Sequence, residues 1–88
     1  MNKLEISGTN VTIEEVESAI RTISYQKMGK KFTICHIELI NGHEVIGVSA
    51  IVNEKKFDHL LGKDIALQNA KNEIWNHMES VLQDRLSN

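Results

Sequence analysis

KFTICHIELI-NG-HEVIGVSAI, residues Lys31 to Ile51, is the stretch that decides the fold. Two apolar-rich runs flank Asn41-Gly42, the pair favoured by a two-residue type I′ turn because both central residues need positive φ. A two-residue loop sets the register: Ile40 faces His43, Leu39 faces Glu44, Ile37 faces Ile46, Cys35 faces Val48, and Thr33 faces Ala50. Directly opposed residues share a face. One face then carries Cys35, Ile37, Leu39, Ile46, Val48 and Ala50, and needs a cover from within the chain. The other carries Phe32, Ile34, His36, Glu38, Ile40, His43, Val45, Gly47, Ser49 and Ile51. That second face is too apolar for plain solvent and too polar for a dry core.

Upstream, residues 1–10 read as a polar arm. Thr12-Ile13-Glu14-Glu15 is a capping box that opens a helix over residues 11–22, with Val11 and Val16 spaced as a hydrophobic staple. Ile13, Val16, Ile20 and Ile23 form its apolar stripe. Weak alternation from Ile23 to Met28, followed by Gly29-Lys30, predicts a first strand and a second hairpin. Sheet residues therefore run over 23–51 as a three-stranded antiparallel meander. Lys27, Lys30 and Lys31 are its one local cluster of positive charge.

Downstream the period changes, and residues 53–87 read as helical. Asn53 is a good N-cap for a short turn from Glu54 to His59. After Gly62, Lys63 to Leu86 reads as one long helix with a stripe of Leu67, Ala70, Ile74, Met78 and Val81. Trp75, Leu82 and Leu86 form a second, rotated stripe. A helix of about 36 Å overhangs strands of about 26 Å. Its last turns then lack a cover, so Trp75, Met78, Leu82 and Leu86 are expected at the interface of a dimer or higher oligomer. The fold class is α+β: an N-terminal helix, the meander, and a long C-terminal helix in a single domain.

The chain has 88 residues, 41% hydrophobic and 25% charged, an ordinary globular composition at a size that gains from oligomerising. A net charge of −2 argues against general DNA binding, which calls for a basic excess. No apolar run approaches the ~20 residues of a membrane span, and no signal-peptide pattern is evident. Cys35, the single cysteine, reads as a small buried hydrophobe in a reducing cytoplasm.

Chemistry is sparse. His36, Glu38 and His43 share the mixed face, but His36 and His43 stand about 13 Å apart along the ladder. A shared metal needs ligand atoms near 2.1 Å from one point. Cys35 and His36 are neighbours and point to opposite faces. His59 and His77 read as isolated and solvated, and no phosphate-binding glycine loop is present. Gly47, in mid-strand, marks a bulge or a close approach by another backbone or a ligand. The expectation is a non-enzymatic protein with no cofactor and no metal.

The run FTICHIELINGHEVIGVSAIVNEKKFDHLLGKDIALQNAKNEIW, residues 32–75, resembles a small phage-protein family. It is the family named after gene product forty-nine of phage N-four and gene product sixty-six of a Shigella phage. The resemblance rests on Asn41-Gly42, Gly47-x-Ser49-Ala50, Phe57-Asp58, Gly62, Ile65-Ala66, Ala70 and Ile74-Trp75. Two positions depart from the family pattern: His43 stands where an aromatic is usual, and Asn53-Glu54 where Asp-Pro is usual. The same run also resembles the type-one Thoeris anti-defence proteins. Those are oligomeric phage sponges that bind cyclic ADP-ribose signal isomers, and in some cases cyclic oligonucleotides, without cleaving them. The resemblance implies that His43, Asn53 and Lys71 face a ligand. His43 and Asn53 stand at opposite ends of one strand, about ten residues or roughly 33 Å apart, so a shared site is expected to take them from different subunits. The resemblance also implies action in the host bacterial cytoplasm. Two other readings stand beside the sponge: a phage protein that binds a host defence protein, and a structural homodimer.

Overall fold

The capping box forms and sets the start of the chain's first helix. In the computed structural model, which describes residues 4–50 and 59–87, the Thr12 hydroxyl accepts from the Glu15 amide at 3.2 Å. The Glu15 carboxylate accepts in return from the Thr12 amide at 3.0 Å. The same carboxylate accepts from the Ser7 amide at 2.6 Å, tying the N-terminal arm to the helix. These amide donors hold the Glu15 carboxyl below its usual range. Helix α1 spans Ile13–Ala19, shorter than the expected residues 11–22. At Ile20 the backbone turns extended and enters strand β1, Ile20–Met28, with no loop between. The β-branched Ile20, Thr22 and Ile23 favour that exit from the helix. The buried stripe is accordingly Val16 and Ala19, with Val11 as the staple, while Ile13 and Ile23 are exposed.

Strands β2, Phe32–Leu39, and β3, Glu44–Ala50, complete an antiparallel sheet in the order β1-β2-β3. The hairpin lies where expected, but its register differs by one residue. Ile37 pairs with Val45, Cys35 with Gly47, and Thr33 with Ser49. The Leu39 amide bonds the His43 carbonyl at 2.8 Å, and the Gly42 amide bonds the Leu39 carbonyl at 2.9 Å. Within this turn Gly42 takes a positive φ, at 88°, while Asn41 does not. This is a three-residue loop, a type I turn closed by a left-handed glycine, rather than a type I′ pair. A one-residue slip exchanges the two faces of a strand. Val45, Gly47 and Ser49 therefore face inward, and Ile46, Val48 and Ala50 face out. Gly42→Val is expected to lower stability by about 1–2 kcal/mol, because a β-branched residue resists positive φ. Thermal melting followed by circular dichroism checks this; an unchanged midpoint would contradict the loop geometry.

Helix α2, His59–Ser87, is continuous through Gly62 and covers β3 and β2. The expected N-cap Asn53 and the short turn after it lie outside the described residues. The buried line along α2 is Ala66, Ala70, Ile74, Met78 and Leu82, at strict four-residue spacing, with Leu67, Trp75 and Val81 partly buried beside it. Its side chains grow along the helix. The alanines lie where α2 touches the sheet backbone at Gly47, and larger residues fill the core beyond. Ser49 donates to the Gly62 carbonyl at 2.8 Å, and the Asn69 amide donates to the Val48 carbonyl at 2.8 Å on the free edge of β3.

At 29 residues α2 is about 43 Å long and does outrun the sheet. The overhang nevertheless finds a cover within the chain. Leu4 and Val11 join the buried cluster that contains Leu82, and Arg85 donates to the Leu4 carbonyl at 3.3 Å. Of the four residues expected at an interface, Met78 and Leu82 are thus buried inside one protomer. Trp75 packs against the core, and Leu86 stays exposed. Strand β1 keeps no such cover: every residue after Ile20 is exposed. Cys35 is free and fully buried, as a small hydrophobe is.

Candidate functional site

The β2–β3 turn delivers His43 onto the helix side of the sheet. The Asn41 side-chain oxygen accepts from the His43 amide at 3.1 Å, and Leu39 bonds its carbonyl. Both contacts fix the backbone from which the imidazole projects. There the ring stacks on His77 of α2, with centroids 3.7 Å apart and planes 3° from parallel. His77 lies on the flank of α2 next to the buried Ile74 and Met78. It is therefore half-buried rather than solvated, and its Nε2 is buried with no hydrogen-bond partner among the described residues. His43 does not share a face with His36 and Glu38. Those two lie on the outer face, where His36 Nε2 is 2.7 Å from Glu44 Oε1. Among the described residues no group of three His, Cys, Asp or Glu could hold a metal ion.

Beside the stacked rings, β3 and α2 border an open concavity of about 660 Å³. Its lining adds Glu44, Val45, Ile46, Glu73, Asn76 and Ser80 to the two histidines. Glu73 stands one helical turn before His77, so both project to the same side. Among the described residues the lining holds two carboxylates, an amide and a hydroxyl, and no Lys or Arg. Such a surface can stack a planar ring and accept hydrogen bonds from hydroxyl or amino groups.

Lys71 lies on the opposite flank of α2. Its Nζ is 2.6 Å from Glu17 Oε1, in a separate cleft of about 130 Å³ with Ile13, Val16 and Trp75. One protomer therefore does not bring His43 and Lys71 together, and Asn53 lies outside the described residues. Sequence reasoning missed His77 and Glu73. The available signal was their position flanking the Ile74 stripe, but the pairing with His43 depends on the register and on how α2 docks.

Burial, and then the charge of His43 beside it, pushes the His77 imidazole below its ordinary 6.5. A base with a lowered folded-state value favours folding fully above 6.5, and that stability is lost as pH falls from there through the lowered value. The melting midpoint is expected to fall between pH 7.5 and 5, and to fall less in His77→Asn. Glu15 does not confuse this window, since its lowered carboxyl loses its contribution only below 4.5. Equal pH slopes in the two proteins would contradict the assignment to His77.

Comparison with known proteins supplies one match. The model of the Phage protein (N4 Gp49/phage Sf6 gene 66) family matches residues 11–86. No curated protein and no solved structure matches the chain. No helix among the described residues is long and apolar enough to cross a membrane.

Proposed function

The chain belongs to the Phage protein (N4 Gp49/phage Sf6 gene 66) family, and from that premise we propose a non-enzymatic accessory protein of the host bacterial cytoplasm. It captures a small nucleotide signal of the cyclic ADP-ribose or cyclic-nucleotide type and so blunts a host defence response. The observation that carries this reading is the His43–His77 stack at the side of the open concavity. His43 remains exposed, so a purine can extend the stack. Glu44 and Glu73 suit ribose hydroxyls or an exocyclic amine, and Asn76 and Ser80 supply further hydrogen bonds. A volume of about 660 Å³ falls within the usual range for small-molecule sites. With no Lys or Arg among the described residues of the lining, the phosphates point outward, toward solvent or a second copy.

Calorimetry with cyclic ADP-ribose isomers and cyclic dinucleotides tests the reading. Heat is expected with at least one of them, and His43→Ala or His77→Ala should weaken it about 5- to 150-fold, the worth of one stacked base. No heat with any nucleotide signal would sink the sponge. The two carboxylates of the concavity then favour the second reading, a host protein that presents a basic segment to them.

A further inference from the structure

At the end of the sheet away from His43, the inner face changes character. Cys35, Ile37 and Leu39 are fully buried along β2, but the next inward position toward the β1–β2 turn is Thr33. Across the strands Thr33 stands beside Lys27 on β1 and Ser49 on β3. Ser49 commits its hydroxyl to the Gly62 carbonyl, which seats the start of α2 over β3 and leaves β1 bare beside it. A cavity of about 130 Å³ opens there, lined by Tyr25, Gln26, Lys27, Thr33 and Lys63. Lys63 Nζ lies 5.2 Å from the centroid of the Tyr25 ring, a cation–π contact that holds the ammonium at the cavity. Thr33 is 7% exposed and adds a hydroxyl to the lining. Among the described residues the lining holds no carboxylate, and each of its side chains can donate a hydrogen bond. Burial raises the Tyr25 phenol above its ordinary 10.0, so it brings no negative charge at neutral pH. Asp64, whose charge reaches Tyr25, does not line the cavity. Lys30 and Lys31 follow on the adjoining turn, so a chain of net charge −2 gathers four lysines at this end.

We propose that this cavity binds one phosphoryl dianion, as free phosphate or as the end of a phosphomonoester, with Lys63 and Thr33 as its principal contacts and Lys27 adding charge. The volume corresponds to about four waters at ~30 Å³ each, which admits a phosphoryl group and is too small for a whole nucleotide. Donors converge on it from α2, β1 and β2, three separate directions. That spread suits a tetrahedral anion with several acceptor oxygens better than a planar carboxylate with two. Hydrogen bonds from ammonium and hydroxyl groups to a phosphoryl oxygen are charge-assisted, and partial removal from water strengthens them. The His43–His77 concavity offers the opposite chemistry, carboxylates that accept, at the other end of β3. The two sites are separate, and the phosphoryl site does not rest on capture of a nucleotide signal.

Heteronuclear NMR of the labelled protein, titrated with inorganic phosphate at fixed ionic strength, tests the proposal. Saturable shifts of the Thr33 and Lys63 amide signals are expected, with a Kd of about 1 mM or below, as a few charge-assisted bonds less the cost of holding the ion allow. Lys63→Gln should weaken binding about 10-fold and Thr33→Val about 5-fold, the worth of one hydrogen bond to a charged group. Lys63 is exposed and valine keeps the shape and strand preference of threonine, so both variants are expected to show native circular dichroism. Arg21→Gln removes the same charge at the other end of β1 and should leave the Kd within about twofold, since salt screens a distant exposed charge. Glycerol phosphate in place of phosphate identifies the source: matching shifts assign a phosphomonoester, and shifts with phosphate alone assign the free ion. No saturable shift below about 20 mM phosphate, a Kd too weak for a built site, would overturn the proposal. Equal shifts with acetate, or a Lys63→Gln variant that binds like the wild type, would overturn it as well.

Discussion

Gly47→Val is expected to prevent stable folding, and Gly47→Ala to cost about 3 kcal/mol or more. A Cβ at this position would run into the Ala66 carbonyl oxygen and the Ala70 amide. Both obstacles are backbone, so no rotamer change relieves them. Relief requires α2 to lift from β3, which opens the core around Ala66, Ala70 and Cys35. Overpacking a relaxed core costs typically 1–3 kcal/mol, and a rigid backbone contact lies at or above the top of that range. A small domain has little more than about 5 kcal/mol to lose. The measurement is thermal unfolding, and a fall of at least about 12 °C in the midpoint of Gly47→Ala is the expected result. A change of only a degree or two would show that α2 does not press on β3 at this point.

Leu82→Asp is expected to unfold the protomer rather than merely dissociate an assembly. Leu82 is 5% exposed inside one chain, within the cluster that includes Leu4 and Val11. Aspartate there buries a charge with no partner, at a cost of about 3–5 kcal/mol. Leu86, one turn further along, is 62% exposed, and Leu86→Asp should stay within about 0.5 kcal/mol of the wild type. Urea unfolding of the two variants separates the cases. If Leu82→Asp kept wild-type stability and lost only its oligomeric state, the arm would not be the cover of this helix end.

Much of the architecture was legible because it rests on local preferences. The Thr12–Glu15 capping box, the Val11–Val16 staple, the Asn41-Gly42 turn and the long helical period after residue 60 each act within a few neighbouring residues. Helix α1 ends before the expected residue 22, and by sequence Ile20, Arg21 and Thr22 continue a helical stripe as readily as they begin a strand. Pairing with β2 settles that ambiguity, through a register irregularity between Ile20 and Thr22 and a bond from the Ile40 amide to the Ala19 carbonyl at 2.9 Å. The arm is polar in sequence. Its single buried leucine, Leu4, gains its meaning from the far end of the chain at Leu82 and Arg85.

By itself, then, the sequence determined which elements form, in what order, and where the chain turns. Which face of β3 meets the helix was decided only in the tertiary structure. Asn41-Gly42 accommodates a two-residue or a three-residue loop, and the difference of one residue exchanges the faces completely. The two-residue loop offers Ile46, Val48 and Ala50 to α2, the more apolar set, which is why the pattern of hydrophobic residues pointed to it. The three-residue loop offers Gly47 instead, and Gly47 alone lets the Ala66–Ala70 backbone come against the strand. That contact joins residues about twenty positions apart, and close packing of two backbones outweighed the local pattern. The same slip carried His43 across to His77, and so made the candidate site.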